Sequence, residues 1–220
     1  MVIKRALIIA AHPDDEILGC GGTISKLIRS NSEVGVAVFT NGEDGRQKPN
    51  PVQRNTALNL SLNSLGVSRI WSHSFPDNRL DSLPIETFVK SIEDIVKEFN
   101  PDTIFTHSFI DLNQDHRVLS EATAIACRLT PESSIKLHLQ YEVLSSTEWS
   151  HSGSFLPQLY IELKTEDVEN KMKALRFYEH ELRSSPHPRS EEIIKAKLSI
   201  RGSECGKMFA EAFQVRKILV

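Results

Sequence analysis

Runs of apolar residues alternate with amphipathic stretches along the first part of the chain. The apolar runs predict strands, which cover residues 2–10, 34–40, 69–75, 103–108, 137–144 and 159–163. Apolar positions at helical spacing predict helices between the early strands, over residues 17–30, 52–65, 85–99 and 118–128. Continuously apolar strands that alternate with helices indicate an α/β protein with a mostly parallel sheet, flanked by helices on both faces.

The alternation ends at about residue 130, where strands follow one another before two late helices. The first late helix is predicted over residues 166–183 and should end before Pro186. Its apolar stripe is expected to face the core and consists of Val168, Met172, Leu175 and Leu182. Residues 184–190 are predicted to form a loop, and residues 191–202 the second late helix. We expect these C-terminal strands and helices to complete the same α/β domain.

Composition and charge narrow the class of protein. A chain of 220 residues with 40% hydrophobic and 25% charged residues suits one soluble domain over residues 1–220. A net charge of −3 gives no basic footprint for nucleic acid, and no apolar stretch is long enough to insert into a membrane. The three cysteines form no CxxC pair and suggest no disulfide framework, and no signal peptide is recognisable. A cytoplasmic location is therefore expected.

Polar residues cluster where two of the predicted strands end, which is where ligands bind in parallel α/β sheets. AHPDDEILGCGG, residues 11–22, follows the first strand and opens a helix. One aspartate there could be an ordinary helix N-cap, but two adjacent carboxylates raise each other's pKa unless a cation neutralises them. His12 and Asp15 could supply two zinc ligands, and a catalytic zinc site takes a third from elsewhere. The stretch after the fourth strand offers candidates, namely His107, Asp111, Asn113, Asp115 and His116.

These motifs resemble the LmbE/PIG-L family of zinc-dependent N-deacetylases. The resemblance rests on AHPDDE with GCGGT and on DLNQDHR, and it extends over nearly the whole chain. Further matching segments are TNGEDG (40–45), Arg54 before a helix that ends in LGV, FPDNRLD (75–81), YEVLSSTEW (141–149), PHPRS (186–190) and the closing RG…AEAF (201–213). The resemblance implies a Rossmann-like sheet, one Zn²⁺ per chain, and removal of acetyl groups from N-acetylated amino sugars or their conjugates.

Carried over to this chain, the family's zinc ligands fall on His12, Asp15 and His116, and its general base falls on Asp14. Because neighbouring side chains point in different directions, Asp15 could bind the metal while Asp14 faces the attacking water. Asp115 is expected to support a neighbouring side chain of the site.

Several remaining positions have two interpretations. Asn113 stands where several family members have histidine; an amide can donate to an oxyanion but cannot act as a general acid, so we expect Asp14 to return the proton. His187 could be a substitute acid or an exposed loop histidine. Arg54 could bind substrate or be a solvated helix residue. Asp77 could bind substrate or be an ordinary turn residue. Glu43 and Asp44 are expected to shape a loop.

The leading hypothesis is a metal-dependent N-deacetylase whose partner is a small N-acetylated sugar or conjugate. One alternative is a metal hydrolase of another amide or ester. Another is a carbohydrate-binding or assembly protein that keeps the fold without turnover, although a structural zinc site would not need the extra carboxylate of Asp14. A site on strand-end loops is often completed by a neighbouring subunit, so a homo-oligomer is also considered.

Overall fold

Seven strands form one sheet in the computed structural model, which describes residues 2–43, 50–128 and 130–219. The strands are β1 (Arg5–Ala10), β2 (Glu33–Thr40), β3 (Arg69–Phe75), β4 (Thr103–His107), β5 (Leu137–Tyr141), β6 (Leu159–Leu163) and β7 (Phe209–Ile218). The helices are α1 (Asp15–Arg29), α2 (Pro51–Leu65), α3 (Ile85–Phe99), α4 (Gln114–Ala126), α5 (Thr165–Leu175) and α6 (Glu191–Glu204). Short 3-10 turns lie at Leu80–Ser82, Thr147–Trp149 and Arg176–Tyr178.

The strand order across the sheet is β3-β2-β1-β4-β5-β7-β6. Strands β1 to β5 pair in parallel, and β7 runs antiparallel between β5 and β6. The predicted α/β class with a mostly parallel, Rossmann-like sheet is therefore confirmed. Because β1 continues to β2 on one side and pairs with β4 on the other, the strand order reverses between β1 and β4, and ligands bind at such a switch point.

Helices cover both faces of the sheet. Helices α1, α2, α5 and α6 pack on one face and α3 and α4 on the other. Strand β1 shows why it is apolar throughout: Ala6 and Ile8 point into the first layer, whereas Leu7 and Ile9 point into the second. All four side chains are fully buried. The end of β1 is thus fixed from both sides.

The structure differs most from the predicted elements in three places, apart from shifts of a few residues at the ends of β1, α1 and β5. The predicted helix over residues 166–183 ends at Leu175, and after a 3-10 turn the chain leaves the helix axis toward the cavity described below. Helix α4 begins at Gln114 instead of residue 118, because Asn113 caps it and its first turn is polar. Strand β7 was not predicted, since buried Glu211 interrupts its apolar pattern.

Glu211 can be buried because Gly22 and Thr23 of α1, together with Lys171, donate hydrogen bonds to its carboxylate. The backbone N–H groups of Gly22 and Thr23 donate to the Glu211 carboxylate at 3.0 and 2.7 Å, respectively, and the Lys171 ammonium donates to it at 2.7 Å. The carboxylate is therefore neutralised and hydrogen-bonded where it is buried. This network ties α1 to β7 and α5.

The glycines of α1 allow close packing of this helix. A Cβ atom on Gly19 would lie 2.2 Å from the Tyr141 ring, and one on Gly22 would lie 2.4 Å from Leu163 Cδ1. Because α1 begins at the end of β1, this close approach also sets where the first turn of the helix lies.

The described part of the chain contains no helix that combines the length and apolarity needed to cross a membrane. Cys20 and Cys127 are buried and Cys205 is half-buried, and all three are free.

We expect Gly19→Ala to lower the free energy of unfolding by about 1–3 kcal/mol, because the added methyl group forces α1 away from the Tyr141 ring. Urea denaturation checks this. The control is Ser199→Ala, an exposed change in α6 that should stay within about 0.5 kcal/mol of the wild type. Equal stability of Gly19→Ala and the wild type would show that α1 does not depend on this contact.

His138 on β5 should make stability fall in mild acid. Burial, with Arg216 and Lys217 nearby, lowers the pKa of His138 to about 4 in the folded protein, whereas its pKa in the unfolded chain is near the ordinary value of 6.5. The unfolded state therefore binds the proton first, so this contribution is complete above pH 6.5 and is lost as the pH falls toward 4. The loss is on the order of 3 kcal/mol. His138→Leu should lose this pH dependence in urea titrations, and an unchanged dependence would contradict the assignment.

Candidate active site

The loops after β1, β3 and β4 meet a segment from the C-terminal third of the chain around a cavity of about 550 Å³. The cavity lies at the carboxyl ends of β1 and β4, where the strand order reverses. The residues that line it are His12, Asp14, Gly42, Arg54, Asp77, Asn78, Leu112, Asn113, His116, Ser145, Ser146, Trp149, Glu181, Arg183 and Arg189. Six residues that the sequence singled out therefore line the cavity: His12, Asp14, Arg54, Asp77, Asn113 and His116.

Three potential ligand atoms form a triangle at the floor of this cavity. His12 Nδ1 lies 3.1 Å from Asp15 Oδ2, and His116 Nε2 lies 3.1 Å from the same oxygen. The two ring nitrogens are 3.2 Å apart. The first histidine and the aspartate come from the β1–α1 turn, and the second histidine from the first turn of α4.

The triangle fits a tetrahedral zinc ion. Nitrogen and oxygen ligands lie about 2.0–2.2 Å from zinc, so two ligands at the tetrahedral angle are separated by about 3.4 Å. The observed separations of 3.1–3.2 Å are close to that value. His12, Asp15 and His116 are thus a group of side chains that could hold one metal ion. A fourth position would face the cavity, which is the arrangement of catalytic rather than structural zinc sites.

The imidazole of His116 is oriented from behind by Asp111. His116 Nδ1 lies 3.1 Å from Asp111 Oδ1, and the same carboxylate accepts hydrogen bonds from the hydroxyl groups of Ser146 and Thr147. Such a carboxylate fixes the ring and leaves the other nitrogen free to bind metal. From the sequence, Asp111 was only one of several polar candidates after β4. Its role beside His116 could not be predicted, because its partners Ser146 and Thr147 are distant in the chain and follow β5.

The imidazole of His12 is oriented by two carboxylates. Its Nε2 lies 3.1 Å from Asp77 Oδ1 and 3.3 Å from Asp115 Oδ2. Asp115 also accepts the backbone N–H groups of Asn78 and Leu80 at 2.7 and 3.1 Å, so it holds the loop after β3 against the site. The structure thus places Asp115 behind a proposed ligand, as a supporting side chain. Asp77 is beside the same histidine and on the cavity wall.

His107 lies under the triangle but is already engaged. Its ring stacks on that of His116 with centroids 3.8 Å apart, and its Nε2 accepts the backbone N–H of Ala11 at 2.9 Å. Burial lowers its pKa well below the usual range, so it is neutral. This side chain packs and positions the site, while His116 points its nitrogen into it.

Opposite charges stabilise the ionised state of the triangle. Burial would raise the pKa of Asp15, but the imidazoles of His116 and His12 hold it well below its usual range. Burial lowers the pKa of His116, yet the carboxylates of Asp15 and Asp111 raise it to about 9. A metal must displace the imidazole protons, so binding should be coupled to proton release.

Asp14 has an unusual backbone and does not act as a helix cap. Its φ of 112° lies in a region that few residues other than glycine adopt, and its side chain makes no capping hydrogen bond. The backbone N–H of Asp14 donates to Glu16 Oε2 at 2.9 Å, which helps to hold this conformation. Backbone strain of this kind concentrates at functional sites and costs about 1–3 kcal/mol. The N-cap interpretation of this aspartate therefore fails, and another role must explain it.

The two carboxylate oxygens of Asp14 have different surroundings. Oδ2 lies 3.3 Å from Arg54 Nη2 and 3.0 Å from Arg189 Nη1. Oδ1 is buried and has no hydrogen-bond partner among the described residues. Burial raises the pKa of Asp14 to about 6, although Arg189 and Arg54 oppose the rise. A carboxylate with one oxygen held by arginines, the other without a partner, and a pKa near neutral suits a general base.

Arg54 is buried rather than solvated, since only 8% of it is exposed. Besides Asp14 it contacts the backbone oxygen of Pro13 and, at 2.7 Å, the Glu181 carboxylate. Glu181 and Arg189 were not predicted as site residues. The PHPRS motif had drawn attention to His187, but Arg189 two positions later is the residue that reaches the cavity wall.

The other predicted residues lie around these. Asn113 is on the cavity wall, and its Oδ1 accepts the backbone N–H groups of Asp115 and His116, so only its NH₂ group can face a ligand. His187 is not among the lining residues; its Nδ1 accepts the backbone N–H of Arg189 at 3.0 Å. Glu43 accepts the backbone N–H of Asn50 at 2.6 Å, consistent with loop shaping. The predicted loop residue Asp44 is outside the described residues.

Comparison with known proteins adds the family. The model of the PIG-L family, described as GlcNAc-PI de-N-acetylase, matches residues 7–127. The uncharacterized deacetylase YaiS of Escherichia coli (strain K12) is 30% identical over 178 residues, which are 79% of this chain and 89% of YaiS.

Two solved structures show how widely the fold is used. The N,N'-diacetylchitobiose deacetylase from Pyrococcus horikoshii superimposes with a TM-score of 0.77 and 23% identity, over 98% of this chain and 84% of that one. GalB, the 4-carboxy-2-hydroxymuconate hydratase from Pseudomonas putida KT2440, gives 0.77 and 18%, over 99% and 98% of the two chains. The fold alone therefore does not decide the reaction.

His116→Gln should abolish stoichiometric zinc binding, whereas His107→Gln should retain it. The first change removes a nitrogen of the triangle. The second replaces a ring nitrogen that accepts the Ala11 N–H and lies 3.2 Å from the Tyr141 hydroxyl by an amide oxygen that can also accept that N–H. Metal content after zinc loading and gel filtration, measured by plasma mass spectrometry, separates the two variants. Equal zinc in both would show that the wrong histidine is assigned to the metal.

Proposed function

The chain belongs to the PIG-L family of deacetylases, and from this we propose that it is a zinc-dependent hydrolase that removes the acetyl group from an N-acetylated amino sugar or its conjugate. The zinc ion would be held by His12, Asp15 and His116, one ion per chain. The observation that carries the proposal is the triangle of these three ligand atoms beside a buried carboxylate oxygen of Asp14 that has no partner among the described residues.

The residues divide the hydrolysis between them. Bound zinc would lower the pKa of a water to near 7 and polarise the acetamide carbonyl, as catalytic zinc does in other hydrolases. Asp14 Oδ1 accepts a proton from the attacking water as the oxygen of that water bonds to the carbonyl carbon. The NH₂ group of Asn113 faces the same cavity and can donate to the developing oxyanion.

Departure of the amine requires a proton. Asn113 cannot supply one, because an amide does not ionise near neutral pH. Asp14, protonated in the first step, would return that proton to the nitrogen as the C–N bond breaks, which yields acetate and the free amine. His187 is not on the cavity wall, so we assign both proton transfers to Asp14.

The substrate binds in the cavity above this floor. Arg54 is committed to Asp14 and Glu181, so its contribution to substrate binding would be through the carboxylate that it orients. Trp149 and Leu112 are exposed on the rim, at 53% and 40%, and offer an apolar wall to the face of a sugar ring or to its substituent. Asp77 lies deeper and could accept from a sugar hydroxyl.

Asp14→Asn should keep zinc but lose turnover by about 10³-fold, since an amide cannot accept the proton of the attacking water. Zinc content is measured by metal analysis, and turnover is measured as the initial rate with a substrate that the wild type deacetylates. Asp81→Asn, an exposed change in the turn after β3, is the control and should match the wild type. Rates near those of the wild type for Asp14→Asn would remove it from the mechanism.

The substrate class is tested by presenting N-acetylated monosaccharides, disaccharides, nucleotide sugars and glycosides to the zinc-loaded protein. Release of acetate and of free amine in equal amounts, lost on chelation and restored by zinc, is the expected result. Hydrolysis confined to amides or esters without a sugar would favour the broader metal hydrolase. Saturable sugar binding without any release of acetate would favour a carbohydrate-binding protein.

A further inference from the structure

We propose that Glu181 is a positioning residue that fixes the general base Asp14 through two arginines, Arg54 and Arg189. The inference rests on the proposed function, in which Asp14 exchanges protons with water and amine. Glu181 and Arg189 lie beyond residues 7–127, the part of the chain that the family model matches. The base would thus be aligned by residues of the C-terminal third.

The four side chains form a closed ring of alternating charge. Arg54 joins the two carboxylates through Nη2 to Asp14 Oδ2 at 3.3 Å and Nη1 to Glu181 Oε1 at 2.7 Å. Arg189 joins them again through Nη1, at 3.0 Å from Asp14 Oδ2 and 3.2 Å from Glu181 Oε2. Each guanidinium therefore faces two carboxylates, and each carboxylate faces two guanidinium groups.

Burial makes the ring costly to break. Asp14 is 1% exposed, and Arg54 and Glu181 are each 8% exposed. Removing one charge from such a set leaves an uncompensated charge where water cannot solvate it. Without the Glu181 carboxylate, two guanidinium groups would face one carboxylate and repel each other. The prediction is that at least one arginine then moves, and the Asp14 side chain moves with it.

Neighbouring groups hold both arginines in one orientation. Arg189 Nε donates to Ser145 Oγ at 2.7 Å, and the Arg54 guanidinium lies over the Tyr178 ring, 5.5 Å from its centroid. The Tyr178 hydroxyl donates to Glu16 at 2.6 Å, and Glu16 accepts the backbone N–H of Asp14. Tyr178 and Glu16 thus link the four charged side chains to the backbone of Asp14.

The consequence for Asp14 is a fixed division between its two oxygens. Because Oδ2 is occupied by both arginines, Oδ1 is left as the oxygen without a partner among the described residues, and under the proposed function it is the atom that accepts the proton. A positioned base reacts efficiently only within a narrow range of geometry, and a displacement of about 1 Å can cost about 10²-fold in rate. Glu181 contacts Arg54 at 2.7 Å and Arg189 at 3.2 Å, so its influence on Asp14 passes through these two arginines.

The test compares Glu181→Gln, Arg189→Met and the double variant with the wild type, all zinc-loaded. Each single change should lower kcat by about 10²-fold and leave KM within about twofold, because transition-state positioning is lost while substrate binding is kept. The double variant should lose no more than the worse single variant, since both break the same ring. Zinc content should equal that of the wild type throughout.

The matched controls are Glu191→Gln and Arg176→Met. These residues form a bidentate ion pair at 2.8 and 2.9 Å, near in sequence to the ring but exposed and without contact to Asp14. Both variants should keep the wild-type kcat and KM. A raised KM with unchanged kcat for Arg189→Met would overturn the proposal and make this residue a substrate ligand. Multiplying losses in the double variant would also overturn it.

A crystal structure of Glu181→Gln gives a readout that does not depend on activity. The proposal predicts that Asp14 Oδ2 loses contact with at least one guanidinium group, or that the carboxylate rotates. An Asp14 in its wild-type position would contradict the positioning role even if the enzyme were inactive on every sugar tested. Conversely, Asp14 could be displaced in the variant while the wild-type protein deacetylates no substrate. That result would refute the proposed function but support the positioning role of Glu181.

Discussion

The structure depends on bringing two imidazoles and a carboxylate within 3.1–3.2 Å of one another at the ends of two adjacent parallel strands. Three such groups attract a divalent cation and are held in place only because their surroundings are fixed. Strands β1 and β4 are neighbours in the sheet, and each imidazole of the triangle contacts a carboxylate behind it: Asp111 for His116 and Asp115 for His12. The cavity, the base and the supporting loops are arranged around this triangle.

The second constraint is that Asp14 must sit next to Asp15 without sharing its role. A backbone φ of 112° at Asp14 turns its side chain away from the triangle's carboxylate and toward two arginines. Strain, burial and ion pairing thus give the two adjacent aspartates different surroundings, which their proposed roles as metal ligand and general base require. The same fold carries a hydratase, so it is this local arrangement, together with family membership, that supports N-deacetylation.

The sequence predicted the parts of the molecule that are local in the chain. Apolar runs revealed β1 to β6, and the adjacent His12, Asp14 and Asp15 revealed the first half of the site. Long-range ion pairs are not visible in that way. Glu181 belongs to a predicted helix and Arg189 to a predicted loop, and neither stands out until the fold brings them together with Arg54 and Asp14. Strand β7 was missed for a related reason, because the charge of Glu211 is neutralised by groups from α1 and α5.

The most direct measurement is anomalous X-ray diffraction at the zinc edge from crystals of the zinc-loaded protein. The account predicts a single strong peak per chain within coordination distance, about 2.0–2.2 Å, of His12 Nδ1, a carboxylate oxygen of Asp15 and His116 Nε2. A peak elsewhere, or none at those three atoms with zinc in excess, would contradict it.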